Sequence, residues 1–214
     1  MEMNKYKLVT VFSLVIAVVA LAVGFASYTA TLTIENSSAT IPASDQFSPY
    51  VQYKQGTLSC VKTGTSTAVT STGSLNDASH ATVWTGASVS MSGIGDSVTC
   101  SATVENLSTF TAYLKSITIA SPLSCAPVQA NATLQNLTGA CNAVGITVTQ
   151  GTASATASGA SKTDATISDG SVTIAPSGEA TVSFTIEYPN GSPVTDGDFV
   201  VTIPTITFRY ETVS

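Results

Sequence analysis

Residues 27–35 have the sequence Ser-Tyr-Thr-Ala-Thr-Leu-Thr-Ile-Glu, in which apolar and polar side chains alternate strictly from Tyr28 onward. Tyr28, Ala30, Leu32 and Ile34 share one face, and the intervening threonines share the other. Alternation with a period of two is typical of a β-strand with one buried face and one solvated face. The segment therefore predicts a strand.

The alternating segment directly follows a hydrophobic run. Residues 8–23 are LVTVFSLVIAVVALAV, preceded by two lysines and followed by Gly-Phe-Ala at residues 24–26. A positive n-region, an apolar h-region and small residues at the end are the three parts of a secretory signal peptide. We therefore expect residues 1–26 to be an export signal that is removed, so that a secreted mature protein begins near Ser27.

A retained transmembrane helix is the alternative interpretation of residues 8–23. A helix needs about 20 apolar residues to span a bilayer, so this run is at the short end of the possible range. No basic cluster follows it as a stop-transfer signal, which favours cleavage. Contact with a membrane is then confined to this segment before cleavage.

Charged residues are scarce in this chain, and acidic ones predominate. They make up 9% of the sequence, whereas an average globular protein has about 25%. The formal net charge is -6. Because nucleic-acid binding needs a basic face, this composition argues against a nucleic-acid partner.

Four cysteines, Cys60, Cys100, Cys125 and Cys141, all lie downstream of the signal. An even number in an exported chain indicates two disulfides, with three possible pairings. Cys125 and Cys141 flank one loop-like segment, which favours that pair together with Cys60–Cys100. Four buried free thiols are the alternative.

Short strands, without convincing helical periodicity, dominate the rest of the sequence. The strand candidates are residues 50–53, 57–61, 97–105, 113–119, 144–148, 181–187 and 199–211. The Ser- and Thr-rich stretch 62–80 predicts a long exposed loop, with a strand edge at residues 67–70 as an alternative. The stretch 151–170 predicts a flexible loop or a strand-poor insert, and residues 121–142 predict an irregular excursion. We expect an all-β fold, an antiparallel β-sandwich or jelly roll preceded by the hydrophobic signal segment. Its three parts are residues 1–26 (signal), 27–41 (N-terminal strand and linker) and 42–214 (β-sandwich domain).

The last strand candidate changes face in the middle. Val201 and Ile203 share one parity, whereas Ile206 and Phe208 share the other, and Pro204 lies at the switch. A bulge at Pro204 lets both halves face one core, because no backbone donor is needed there.

Little in the sequence predicts catalysis. The single histidine, His80, lies in a polar loop, and neither an HExxH nor a CxxC motif is present. Asp196 and Asp198 are close in sequence, but calcium sites usually need more oxygen ligands at regular spacing. We therefore expect neither an enzyme nor a metal or cofactor site.

Five Asn-x-Ser/Thr triplets occur in the chain. They begin at Asn36, Asn106, Asn131, Asn136 and Asn190. In an exported protein each is a possible glycan acceptor.

Several motifs resemble those of the TasA/camelysin-like group of secreted fibre proteins, and of the similar archaeal donor-strand bundling pili and threads. They are the passage from signal to strand at residues 23–34, Gly-Asp-Ser-Val-Thr at 95–99, Ile-Ala-Pro-Ser-Gly-Glu at 174–179 and the closing Phe-Arg-Tyr-Glu at 208–211. The four cysteines and the additional Ser- and Thr-rich loops depart from the bacterial pattern.

The resemblance implies a jelly-roll subunit of an extracellular filament or pilus, serving adhesion or a biofilm matrix. Its partner is itself, in a head-to-tail polymer in which each N-terminal strand completes a neighbour's sheet. The peptidase label carried by camelysins is not transferred, because the chain has no metal-ligand cluster in its sequence. Two other classes stay open: a type IV pilin-like subunit with a retained helix, and a monomeric cell-surface binding protein or an enzyme of unrecognised type. The alternative for residues 28–34 is that they form the first strand of their own domain.

Overall fold

The computed structural model describes residues 29–35, 50–63, 68–79, 81–91, 93–129 and 132–212. Several sequence predictions fall outside these ranges. They concern the signal at 1–26, Tyr28, most of the linker, His80, Asn36 and Asn131.

The described chain is almost entirely β-structure. In chain order the strands are β1 (Thr29–Glu35), β2 (Val51–Tyr53), β3 (Ser59–Thr63), β4 (Ala68–Leu75), β5 (Val83–Met91), β6 (Ser97–Asn106), β7 (Ala112–Ile119), β8 (Ser124–Pro127), β9 (Gly145–Gln150), β10 (Ala153–Ser158), β11 (Lys162–Thr163), β12 (Ala165–Thr166), β13 (Thr173–Ile174), β14 (Glu179–Glu187), β15 (Phe199–Thr202) and β16 (Ile206–Thr212). A short helix, α1 (Leu137–Ala143), lies between β8 and β9.

The described strands form two sheets. The first has the order β12-β7-β16-β1-β5-β15-β8, with β13 paired to β7 and β4 paired to β5. The second has the order β11-β10-β9-β14-β6-β2, with β3 paired to β6. Buried side chains of both sheets form one hydrophobic core, so the fold is a sandwich-like all-β domain.

Alternation along two central strands explains how the second sheet contributes to the core. In β6, Val98, Cys100, Ala102 and Val104 are buried while most of the intervening residues are partly exposed. The neighbouring β14 shows the same pattern through Val182, Phe184 and Ile186. Both strands confirm the predictions made from their period-two patterns.

The predicted change of face at Pro204 is also confirmed. Phe199 and Val201 are buried on one side of it, and Ile206 and Phe208 are buried on the other. The expected single strand with a bulge is wrong, however, because the chain forms two separate strands here. β15 pairs with β5 and β8, whereas β16 pairs with β1 and β7. The irregularity therefore keeps both apolar halves in contact with one core.

The interpretation of residues 151–170 as a loop was wrong. This tract contains β10, in which Ala153, Ala155 and Ala157 are buried and Ser154 and Thr156 are exposed. Small side chains are enough here because β10 is held along its whole length by an antiparallel ladder with β9. The period-two alternation therefore indicates this strand, although its apolar side chains are small.

Two further predictions need correction. Residues 62–80 contain the eight-residue strand β4 and are not a long loop; the alternative of a strand edge at residues 67–70 located the start of β4 but not its length. The excursion at 121–142 includes most of α1, which the sequence did not predict.

The strand β7 changes its buried face partway along. Leu114 is buried at one parity and Ile117 at the other. Its ladder with β16 shifts register between Arg209 and Tyr210, so that one additional residue of β7 is accommodated there. The bulge keeps both halves of β7 packed on the core.

The structure contains both of the favoured disulfides, Cys60–Cys100 and Cys125–Cys141, and no free cysteine among the described residues. Cys60 and Cys100 are directly opposite each other on β3 and β6. Cys125–Cys141 ties β8 to α1. Each bridge contributes about 2–4 kcal/mol by restricting the unfolded chain, and such bridges are typical of oxidising, extracellular environments.

Candidate functional site

The N-terminal strand β1 lies between two strands that are antiparallel to each other. It pairs antiparallel with β16 and parallel with β5. Every other pairing among the described strands is antiparallel. A strand inserted between two antiparallel neighbours has to run parallel to one of them, so β1 has the position of an insertion into an otherwise antiparallel sheet.

The two neighbours of β1 are joined beyond its end. Phe199 and Val201 of β15 pair directly with Met91 and Val89 of β5. After the break at Pro204 the chain continues as β16, which is separated from β5 by β1. We call this arrangement the fork; its two arms are β5 and β16, and its vertex is the β5–β15 pairing.

The arms of the fork keep one register across β1. Ile34 pairs with Ile206 on one side and with Trp84 on the other, and Thr33 likewise pairs with Thr207 and Val83. Continuing the β5–β15 ladder past the vertex without a slip would place these same residues opposite one another. The fork is therefore a slot for one strand, about two strand spacings or 9–10 Å wide.

The register matches the predicted faces of β1 to the faces of β16. Leu32 is paired with Phe208, and Ala30 with Tyr210; both aromatic side chains are fully buried. Thr31 is paired with Arg209, which is exposed. Directly paired residues share a face of a sheet. The face of β1 that the sequence predicts to be apolar is therefore the face on the core side of the sheet.

An apolar wall and a polar pair lie beside the slot. Trp84 is fully buried, its ring lies 5.2 Å from that of Phe184, and its indole N–H donates to the Thr72 carbonyl at 2.8 Å. The Tyr210 hydroxyl donates to the buried Gln150 side chain.

The buried phenols beside the slot are neutral at ordinary pH. Burial raises the pKa of Tyr53 well above its usual range, and nearby Tyr210 adds to the effect. Burial likewise raises the pKa of Tyr210. The wall of the slot therefore carries no phenolate charge.

Withdrawal of β1 would leave two unpaired edges facing each other. β16 would lose its ladder with Ala30 to Ile34, and β5 would lose its partners at Val83 to Thr85. Unpaired backbone donors and acceptors beside an apolar wall form a binding site for an extended peptide. The chemistry that the fork supports is strand binding.

The fork has a direction along the sandwich. The loop at 107–111 and the start of β1 lie at one end, which we call the lower end; the loop at 188–198 and the fork vertex lie towards the other, upper end. β1 thus points from the lower end towards the upper end. The chain re-enters the described structure at Tyr50, whose carbonyl accepts from the Leu107 N–H at the lower end at 2.6 Å.

The sequence predicted one half of this site. The strand residues Ala30, Leu32 and Ile34 are in the fork, and Tyr28 lies outside the described residues. The acceptor residues Trp84 and Phe208 were missed as a site. The sequence feature that could have indicated the acceptor site was the change of face at Pro204, because the chain separates from β5 at this residue.

The glycan acceptors differ in access. Asn106 is fully buried, and its amide donates to the carbonyls of Phe110, Ile174 and Ala175 at 2.7, 3.1 and 3.1 Å. Asn136 and Asn190 are exposed.

We expect glycans at Asn136 and Asn190 and none at Asn106, because a sugar on the Asn106 amide would remove its hydrogen bonds and could not be buried. Glycopeptide mapping of the native protein tests this expectation. Asn106 found modified in folded protein would contradict it.

Within the described ranges no group of three or more His, Cys, Asp or Glu side chains is placed to hold a metal ion. The described segments also include no helix with the length and apolar character that membrane spanning requires. Comparison of the chain with protein-family models, curated proteins and solved structures finds no match. The fold and the fork define the class as an all-β domain with a strand-binding slot.

Proposed function

We propose that this protein is the structural subunit of an extracellular filament, assembled by donation of β1 into the fork of the next subunit. The observation that carries the proposal is the position of β1 between β5 and β16, two strands that are antiparallel to each other and already joined at the fork vertex. A strand held in such a slot can be exchanged for the same strand of another copy without loss of any pairing.

The direction of β1 gives the polymer a polarity. In a neighbour's fork the end of β1 at Glu35 would point to that neighbour's upper end, as it does within the chain. Residues 36–49 then lead to Tyr50 at the lower end of the donor. A linker of this length can span up to about 50 Å, so the lower end of each subunit can lie on the upper end of the next.

This contact is heterologous, since the fork of one copy meets the N-terminal strand of another. Heterologous contacts that do not close into a ring propagate as filaments. Backbone pairing along β16 supplies affinity that depends little on sequence, and the wall residues Trp84, Phe208 and Tyr210 set the register.

The finer assignments follow from the sequence motifs. We infer a jelly-roll domain, export through a cleaved signal, and a role in adhesion or a biofilm matrix, as in the TasA/camelysin-like fibre proteins. The two disulfides are compatible with this location outside the cell.

A cysteine pair placed across the slot tests donation directly. Thr33 and Thr207 are register partners on the face of the sheet that points away from the core. The Thr33→Cys/Thr207→Cys variant of the mature protein should therefore form one additional disulfide. In filaments we expect this bond to join different subunits, so that oxidised filaments boiled without reductant give a ladder of covalent oligomers. Mixing the two single variants should give a dimer linked between positions 33 and 207, identified by peptide mapping.

An oxidised double variant that stays monomeric under all polymerising conditions would contradict donation. In that case β1 is a permanent strand of its own domain, and the protein is a monomeric surface module. The matched control is Thr31→Cys with Thr207→Cys, whose residues are two positions out of register and should cross-link poorly.

A further inference from the structure

The large exposed hydrophobic side chains are concentrated at the two ends of the sandwich. Among the residues that the structure describes they are Tyr50, Val61, Leu107, Phe110, Val128 and Val194. All except Val61 lie at an end. Exposed apolar side chains that cluster, instead of being scattered singly, mark interaction sites.

At the lower end, Tyr50, Leu107 and Phe110 form the lower-end patch, with exposed fractions of 45%, 51% and 56%. The loop that carries Leu107 and Phe110 is held from inside by Asn106. The Asn106 amide donates to the Phe110 carbonyl at 2.7 Å, and its oxygen accepts from the Ser108 hydroxyl, also at 2.7 Å. The turn is thus fixed by buried hydrogen bonds while its two apolar side chains are exposed.

At the upper end there is a cleft of about 340 Å³, the upper-end cleft. It has an apolar wall of Pro127, Val128 and Leu134 and is also lined by the polar side chains of Gln129, Asp196 and Asp198. The Asp196 carboxylate accepts from the Gln135 N–H at 2.8 Å, which ties the two loops of the cleft together. An engineered apolar cavity of about 150 Å³ binds benzene, so the cleft is large enough for a phenyl ring.

The proposed function brings these two surfaces together. If β1 lies in a neighbour's fork, residues 36–49 lead from that neighbour's Thr85, the register partner of Glu35, to the donor's own Tyr50. The neighbour's upper end, at Met91, is about six residues or 20 Å beyond Thr85, well within the reach of the linker. Tyr50 belongs to the lower-end patch, so the linker allows the patch to reach the neighbour's upper end.

We propose that the lower-end patch of one subunit docks in the upper-end cleft of the next, with Phe110 as the inserted side chain. This inference rests on the proposed function, because strand donation sets which ends meet. An apolar projection and a cleft with an apolar wall, at opposite ends of one molecule, make a heterologous contact, which repeats along a filament. The contact removes both apolar surfaces from water and limits rotation between neighbouring subunits.

Cross-linking of two single variants tests the contact. Thr109→Cys lies beside Phe110 and Gln129→Cys at the cleft, both at exposed positions that leave the apolar residues intact. Filaments mixed from equal amounts of the two variants should give disulfides between positions 109 and 129 of different subunits, in an excess over each product linking identical positions that is well above the twofold excess of random contact. An excess of twofold or less, or no product in filaments, would overturn the proposed contact.

A second variant measures how much the contact contributes. Leu107→Ser/Phe110→Ser should raise the critical concentration for polymerisation by about tenfold or more, because two large apolar side chains lose their burial. The matched control Val61→Ser changes a similarly exposed apolar residue on β3, which belongs to the second sheet and lines neither the lower-end patch nor the upper-end cleft, and should leave polymerisation unchanged. Equal effects of the two variants would contradict docking.

The cross-link across the slot, between positions 33 and 207, separates the two proposals. If that bond forms between subunits but the bond between positions 109 and 129 does not, strand donation stands and end docking is wrong. If the bond between positions 109 and 129 forms without an intersubunit cross-link across the slot, the ends associate and strand donation is wrong.

Discussion

The Leu32→Asp variant of the mature protein should fail to form filaments. Leu32 is paired with Phe208, whose side chain is fully buried, and paired residues share a face. An unpaired carboxylate on that face costs several kcal/mol, and about 3 kcal/mol already weakens strand binding more than a hundredfold. Sedimentation and negative-stain microscopy at matched protein concentrations measure the loss.

Thr31→Asp is the matched control. Thr31 is paired with the exposed Arg209, so an aspartate there stays solvated beside a cation and filaments should still form. Normal filaments from Leu32→Asp protein would show that β1 is not the donated strand. Loss of filaments from both variants alike would show that the effect is one of charge and not of burial.

Folding of the Leu32→Asp protein has to be shown separately. Circular dichroism and recovery of both native disulfides report whether the domain persists without its strand. If it does not, Leu32→Ala gives a second test without a buried charge; loss of the leucine side chain alone costs about 2–5 kcal/mol. A peptide of residues 27–41 added to wild-type protein should cap the forks and shorten the filaments.

Trp84→Ala should reduce the free energy of unfolding by about 3–5 kcal/mol, a large part of the stability of a typical domain. Trp84 is fully buried, contacts the rings of Phe184 and Tyr53, and donates a hydrogen bond to the Thr72 carbonyl. It is also the register partner of Ile34 in the slot. The variant should therefore weaken strand binding as well as the core.

Urea unfolding followed by circular dichroism measures this change, since the chain has only one tryptophan and its fluorescence is lost in the variant. Trp84→Phe is the control: it keeps an aromatic ring but leaves the Thr72 carbonyl without its donor, and should cost less than the alanine variant. A Trp84→Ala protein within about 1 kcal/mol of wild type would contradict a central role for this residue.

The sequence predicted the features that depend on local chemistry. Alternation assigned the inward faces of β6 and β14 correctly, because a strand directs one side chain in two to the core. The spacing of Cys125 and Cys141 led to both disulfides. The change of parity at Pro204 predicted the change of buried face, but as a bulge in one strand and not as the division into β15 and β16. The strand β10 was misread, because its alanines bury little area and period two was the only signal.

The acceptor half of the site could not be predicted in this way. Trp84 and Phe208 are 124 positions apart in the chain and come together only because β5 and β16 flank the same strand. Nothing in either segment specifies the other, since the two strands meet through β1 and through the core. Likewise Leu107 and Phe110 looked like ordinary loop residues until the buried amide of Asn106 showed how the loop is held.

By itself the sequence determined that residues 29–34 form a strand with one apolar parity, and that the domain around it is built from strands and two disulfides. Side-chain periodicity and cysteine spacing carry that information. Only the tertiary structure decided which strands accept β1, in which register and in which direction. The physical reason is that pairing uses backbone N–H and C=O groups, which are alike in every strand, so the choice of neighbour depends on core packing over the whole sheet.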